Sequence, residues 1–301
     1  MNIEFEHCDV SFRSLIDWDV FPKDVKNILD VAFQNGGYIA GGFATEFAKC
    51  VFGTYSKTAT TRTVARYLHH LGYHLGNVND VDVQRARLIH KGTNGDIDIW
   101  FPDRERALMA IDECVEKFHV DNFPSPKSFA HDFVVCGNGK TILIQFIKEF
   151  VGMSRDVVST FDITNAMAYI DNDTLYVPRE LRQLCKEKKI QLNTSLPVER
   201  GLNEFFTFKR IFKWQNKHEF SRGLTEESMN YVKKIIEHMM SQVKHDESMV
   251  MNDVTLAKNL KRFHDMMPAD LLLALSTYDS SQDYDSYFKR FLQRHVDVMS
   301  T

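Results

Sequence analysis

No run in the chain approaches the roughly 18 consecutive apolar residues that a membrane-spanning helix requires, and the first ten residues are neither basic nor continuously apolar. This pattern predicts a cytoplasmic, untargeted protein with no membrane partner. Cysteine is scarce as well: the five residues Cys8, Cys50, Cys114, Cys136 and Cys185 are widely spaced and form no C-x-x-C pair. That spacing excludes a disulfide framework and a structural zinc centre. Proline is also sparse, at seven residues, and nothing resembles a low-complexity or charge-biased tract. With 44% hydrophobic and 12% aromatic residues, the chain has the composition of an ordinary folded protein, and order is expected nearly throughout.

Charge of one sign is not in large excess. The net charge of −4 gives no global attraction to nucleic acid, but the average hides a local reversal. Between Arg179 and Arg222 stand eleven Lys or Arg against five Glu. The segment reads either as a solvated helical surface or as a polyanion-binding face, whose candidate contacts are Lys188, Lys189, Lys209 and Lys213.

At 301 residues the chain exceeds the usual single-domain size, so a domain with a substantial appendage, or two domains, is expected. Val25, Ile28, Leu29 and Phe33 recur at helical spacing and predict a helix over 23–34, which Asn35-Gly36-Gly37 stops. Tyr38-Ile39-Ala40 reads as a short buried strand, followed by Gly41-Gly42 and a second helix over 43–51. Asp96-Ile97-Asp98-Ile99-Trp100-Phe101 alternates polar and apolar residues as a strand does, before Pro102-Asp103 turns the chain. Further strands are expected at 133–135, at 141–147 after a Gly137-Asn138-Gly139 hairpin signal, at 166–170 and at 174–177. From Arg179 onward the pattern is helical. The expected organisation is an α/β head over 1–178, carrying an insertion at about 54–94, and an all-helical neck and tail over 179–301.

In Asp96-Ile97-Asp98 the period-two geometry of a strand sends both carboxylates to one side and the isoleucines to the core. Such a pair suits divalent cations, and phosphoryl transfer needs two metal ions about 4 Å apart to stabilise the attacking and leaving oxygens. Gly41-Gly42, between a buried strand and a helix, lets a triphosphate approach the backbone and the helix N-terminus. Either signal alone also fits an ordinary edge strand or tight turn.

The combination of Gly41-Gly42 with Asp96-Ile97-Asp98 resembles the G-G and D-x-D signature of the polymerase β nucleotidyltransferase superfamily. Phe161-Asp162-Ile163-Thr164-Asn165-Ala166-Met167-Ala168-Tyr169 looks like the R-R-D-F-T-I-N-A-M-A-Y motif of tRNA CCA-adding enzymes and bacterial poly(A) polymerases. The similarity covers roughly residues 36–215. It implies a polymerase β-like head with a mixed sheet, two Mg2+ ions on Asp96 and Asp98, and transfer of a nucleotide from an NTP such as ATP to an acceptor hydroxyl with release of pyrophosphate. By the same resemblance Asp162 falls on the motif's acid and is the candidate third acidic residue, the alternative being an N-cap or a salt-bridged structural acid; Gly41 and Gly42 admit the triphosphate, while Thr164 and Asn165 either contact the ribose of the nucleotide or stabilise the turn. The preferred acceptor is then the 3′ end of an RNA, as in tRNA processing.

The departures bear on each of these expectations. Thr45 and Glu46 stand where G-G-x-x-R-D has its Arg and Asp, Gln145 stands where a further acid is expected, and Ser159-Thr160-Phe161 replace the two arginines of the R-R-D motif. The element that selects incoming bases in CCA-adding enzymes is not recognisable near Glu199 and Arg200. Two other readings therefore stay open: transfer to a protein or small-molecule hydroxyl, and a catalytically silent nucleotidyltransferase fold acting as a binding module. The inserted segment carries Lys57, Arg62 and Arg66 with no acid nearby, suited either to gripping phosphates or to a solvated excursion. His70 and His74 lie four apart, but no neighbouring acid or cysteine completes a metal site.

Overall fold

A computed structural model describes residues 3–15, 21–52, 96–124, 129–137 and 140–197, together with parts of 210–234. The expected insertion, with Lys57, Arg62, Arg66, His70 and His74, lies outside the described residues, as do Lys209, Lys213 and nearly all of the expected helical tail. The chain divides into two compact units: one holds residues 3–161 and 166–182, the other residues 1–2, 162–165 and 183–301.

The first unit is built on a mixed eight-stranded sheet of order β1-β8-β7-β2-β3-β6-β5-β4. Its strands are β1 (Phe5–Ser11), β2 (Tyr38–Ala40), β3 (Asp96–Trp100), β4 (Asp121–Pro124), β5 (Ala130–Gly137), β6 (Lys140–Ile147), β7 (Tyr169–Asp171) and β8 (Thr174–Pro178). All neighbouring pairs are antiparallel except β3 with β6. Among the described residues its helices are α1 (Phe12–Leu15), α2 (Lys23–Gln34), α3 (Gly42–Phe52), α4 (Arg104–Lys117) and α5 (Ser154–Val158), while α6 (Leu181–Glu187) has residues in both units.

Alternation along the central strands sorts the two faces of the sheet. Ile97 and Ile99 of β3, Ile144 and Phe146 of β6 and Phe133 of β5 are fully buried and fall in two adjacent rows, Ile97–Ile144–Phe133 and Ile99–Phe146, which make one apolar patch. Against the sheet pack α3, on β2 and β3, and α4, on β6, while α2 packs on α4 and β5. Helix α2 contributes Val25, Ile28 and Leu29 at the spacing expected from the sequence, and ends where Gly36 takes a positive φ of 74° that a side chain would strain.

The opposite face carries Tyr38, Trp100, Tyr169 and Tyr176. Tyr169 and Tyr176 stack at 4.8 Å, and Trp100 packs on Phe161 at 5.3 Å. Val158 of α5 and Met167 close this cluster. Burial, opposed by a hydrogen bond with Ser154, pushes the Tyr169 phenol up to about 12; burial and then Asp171 and Asp156 push Tyr38 further above its ordinary range. Tyr38 thus stays a donor, to the Gly152 carbonyl at 3.1 Å.

Several elements differ from expectation. In place of a strand over 166–170 there is a 3-10 turn, Thr164–Ala166, with the strand starting only at Tyr169, because Thr164 and Asn165 spend their polar groups on a neighbouring loop. The strands β1 and β4 and helix α4 are not legible from the sequence pattern, the strands because they lie at the two ends of the sheet with little alternation. Asp103 lies in the bend that follows Pro102, as expected, and its side chain also caps α4, accepting from the Arg106 N–H at 2.8 Å. The β5–β6 hairpin pairs Gly137 with Lys140, in keeping with the glycine signal, with its two connecting residues outside the described ones.

Two stability measurements follow from these contacts. Replacing Asp103 with Ala should cost about 0.5–2 kcal/mol in urea denaturation, and Asn, which keeps the cap, should recover most of it. For the buried phenols the folded pKa lies above the unfolded value of about 10. Their stabilisation is therefore fully present below about pH 10 and lost as the pH rises towards 12, so the melting temperature should fall across that window, and less so in Tyr169→Phe.

Candidate functional site

The glycine pair and the acid pair meet at the middle of the sheet because β2 and β3 are neighbours, with Tyr38 opposite Trp100 and Ile39 opposite Ile99. This brings the end of β2, where Gly41 begins the turn into α3, beside Asp98. A Cβ placed on Gly41 would lie 3.8 Å from Asp98 Oδ2, so space alone does not demand glycine there; the φ of 86° does. Gly41 donates its own N–H to the Ala168 carbonyl at 3.3 Å and accepts from the Thr45 N–H at 3.0 Å. The N–H groups that a helix start cannot satisfy internally are those of the first turn of α3, from Gly42 on.

Asp96 and Asp98 are half-buried and alternate with Ile97 and Ile99, which are fully buried. Both carboxylates therefore lie on the face opposite α3. Thr45 and Glu46, at the positions of the missing Arg-Asp, turn inward. Thr45 is fully buried and donates its hydroxyl to the Gly41 carbonyl at 3.1 Å, holding the turn. Glu46 pairs with Lys49 one helical turn on, at 3.3 Å, with both side chains buried.

The register of β3 with β6 sets Gln145 opposite Asp98, and that of β6 with β5 sets Asp132 opposite Gln145. Asp98, Gln145 and Asp132 thus form one row across three strands. Gln145 is 8% exposed and Asp132 5%, and Gln145 Nε2 donates to Asp132 Oδ1 at 2.8 Å. A strand read from Phe133 leaves Asp132 out; one read from Ala130, where β5 begins, puts it on the polar side of the alternation. The donors at this site are carboxylate and carboxamide oxygens, which fit a hard divalent cation. Among the described residues no group of three or more His, Cys, Asp or Glu gathers as ligands, consistent with a neutral residue at position 145.

Asp162, Thr164 and Asn165 belong to the other compact unit. Asp162 does not start a strand: its carboxylate pairs with Arg210 at 2.8 Å, and its carbonyl accepts from the Asn193 N–H at 2.9 Å. Asn165 is fully buried and uses both ends of its amide on the chain, donating to the Lys189 carbonyl at 3.1 Å and accepting from the Gln191 N–H at 2.8 Å. Of the four basic candidates two are described, Lys188 with a positive φ of 56° and Lys189 3.6 Å from Glu187.

Three solved structures show what the chain is similar to. It resembles the apo form of a CCA-adding enzyme at 13% identity and a TM-score of 0.48, over 90% of this chain and 52% of that one. It also resembles a CCA-adding enzyme in complex with ATP, at 14% identity and a TM-score of 0.46, and one in complex with CTP, at 13% and 0.44. In these two cases the match covers 98% of this chain, and 70% and 71% of the other. The chain spans about half the length of the first of these enzymes. No curated protein matches the sequence. The model of the Gabija anti-defense 2 family matches residues 18–187, more than half of the chain and every strand from β2 to β8, and the protein belongs to that family.

Proposed function

We propose that the protein is a metal-dependent nucleotidyltransferase that moves a nucleoside monophosphate from an NTP to an acceptor hydroxyl, and that this activity serves to counter the Gabija defence named by its family. The observation that carries the reading is the convergence of the Gly41-Gly42 turn on Asp98, with Asp96 and Asp98 on one face of β3. Asp96 and Asp98 would hold Mg2+, which supplies charge stabilisation at the attacking and leaving oxygens of the transferred phosphoryl group. The first turn of α3 offers its N–H groups to the triphosphate, and glycine at position 41 gives the chain the positive φ with which it enters that turn. Asp162, Thr164 and Asn165 enter the proposal by resemblance only, and the buried amide of Asn165 suits it to holding the 189–191 loop.

For the acceptor, an RNA 3′ end is the reading drawn from the basic segment and the tRNA-enzyme motif. Membership of an anti-defence family favours the second reading, transfer to a hydroxyl of a protein or a small molecule. A third reading, a silent fold that only binds, draws on Gln145 and on the inward-turned Thr45 and Glu46.

Incubation with each α-labelled NTP, Mg2+ and either total RNA or Gabija-containing extract should label one macromolecule. Asp96→Asn and Asp98→Asn should each abolish labelling while keeping the wild-type melting transition, and full labelling in either variant would sink the proposal. The acceptor is separated by salt. An RNA held by Lys188, Lys189, Lys209 and Lys213 would lose affinity steeply with ionic strength, and replacing two of them with Ala should reduce the log–log slope by roughly two. Salt-insensitive labelling would point to the protein or small-molecule acceptor.

A further inference from the structure

Gln145 interrupts a row of acids, yet its carboxamide is neither loose nor generic. Both members of the Gln145–Asp132 pair are more than nine-tenths buried, and the 2.8 Å bond between them runs along the same row of the sheet that Asp98 occupies. A carboxylate only accepts hydrogen bonds, so the end of the carboxamide facing Asp132 has to be its NH2. The amide is planar, with oxygen and nitrogen on different sides of Cδ; committing the nitrogen towards β5 turns the oxygen away from β5, on the side of β3. That oxygen and the Asp98 carboxylate, opposite each other in the register of β3 and β6, are both hard oxygen donors of the kind a divalent cation accepts.

We infer that Asp132 is a positioning residue that locks the Gln145 carboxamide with its oxygen outward, and that this oxygen is a neutral third ligand beside Asp96 and Asp98. The inference rests on the proposed metal-dependent transfer, and it adds a specific consequence. The site carries one negative charge fewer than a three-carboxylate centre, so its intrinsic hold on a divalent cation is weaker and depends more on the phosphates of the bound nucleotide.

Mn2+ binding to the purified full chain, without nucleotide, can be titrated by electron paramagnetic resonance. Two double variants preserve the volume of the pair. Asp132→Asn with Gln145→Glu keeps a hydrogen bond between the two positions but moves the charge one strand closer to Asp98; it should bind Mn2+ about tenfold more tightly than wild type. Asp132→Ala with Gln145→Leu removes both polar partners together, which avoids an orphaned buried group, and should weaken Mn2+ several-fold at an unchanged fold as judged by circular dichroism. A pair that served packing alone would leave the Mn2+ affinity of the Ala/Leu variant at the wild-type value, and that result overturns the inference while leaving Asp96 and Asp98 in place. Asp98→Asn serves as the reference. If it titrates with Mn2+ as wild type does, the metal site falls, and both the inference and the proposed function fall with it.

Discussion

The parallel pairing of β3 with β6, in the middle of an otherwise antiparallel sheet, is the constraint on which the rest of the arrangement depends. It places Ile97 opposite Ile144 and Ile99 opposite Phe146, so that these two rows of contacts anchor the apolar face under α3 and α4. Because side chains alternate, the same register that buries those residues lines up Asp98 with Gln145 on the other face. A slip of one residue would send Asp96 and Asp98 into the core and the isoleucines towards solvent. Hydrophobic register is thus what sets the face on which the acid pair stands.

That division of labour extends to the neighbours of the acids. Thr45 and Glu46, where the resembling motif has Arg and Asp, are here given over to structure: one fastens the Gly41 turn and the other forms a buried pair with Lys49. Buried ion pairs of this kind add little net stability but are costly to break, which fixes the conformation of α3 behind the turn.

The aromatic face beside the acids has a related role. Tyr38, Trp100, Tyr169 and Tyr176 form a wall next to the strand that carries Asp96 and Asp98, and burial keeps the phenols of Tyr38 and Tyr169 protonated. A wall of neutral, water-excluding groups beside two carboxylates strengthens any cation held there, because the local dielectric is lower than that of water.

Periodicity alone determined the elements that matter most to function. The 3.6 spacing of Val25, Ile28 and Leu29, the alternation of Asp96 to Trp100 and the glycine punctuation at Gly36, Gly41 and Gly137 depend only on near neighbours along the chain, so the order of residues is enough to reveal them. Strands β1 and β4, at the two ends of the sheet, carry no such signal, and Asp103 becomes a cap only once α4 exists to be capped. Tertiary structure alone decided what Gln145 faces, that Asp132 reaches it from a third strand, and that Asp162 pairs with Arg210 rather than beginning a strand. These are pairings between residues distant in sequence, set by strand order and register, and no local pattern encodes which strand will lie beside which.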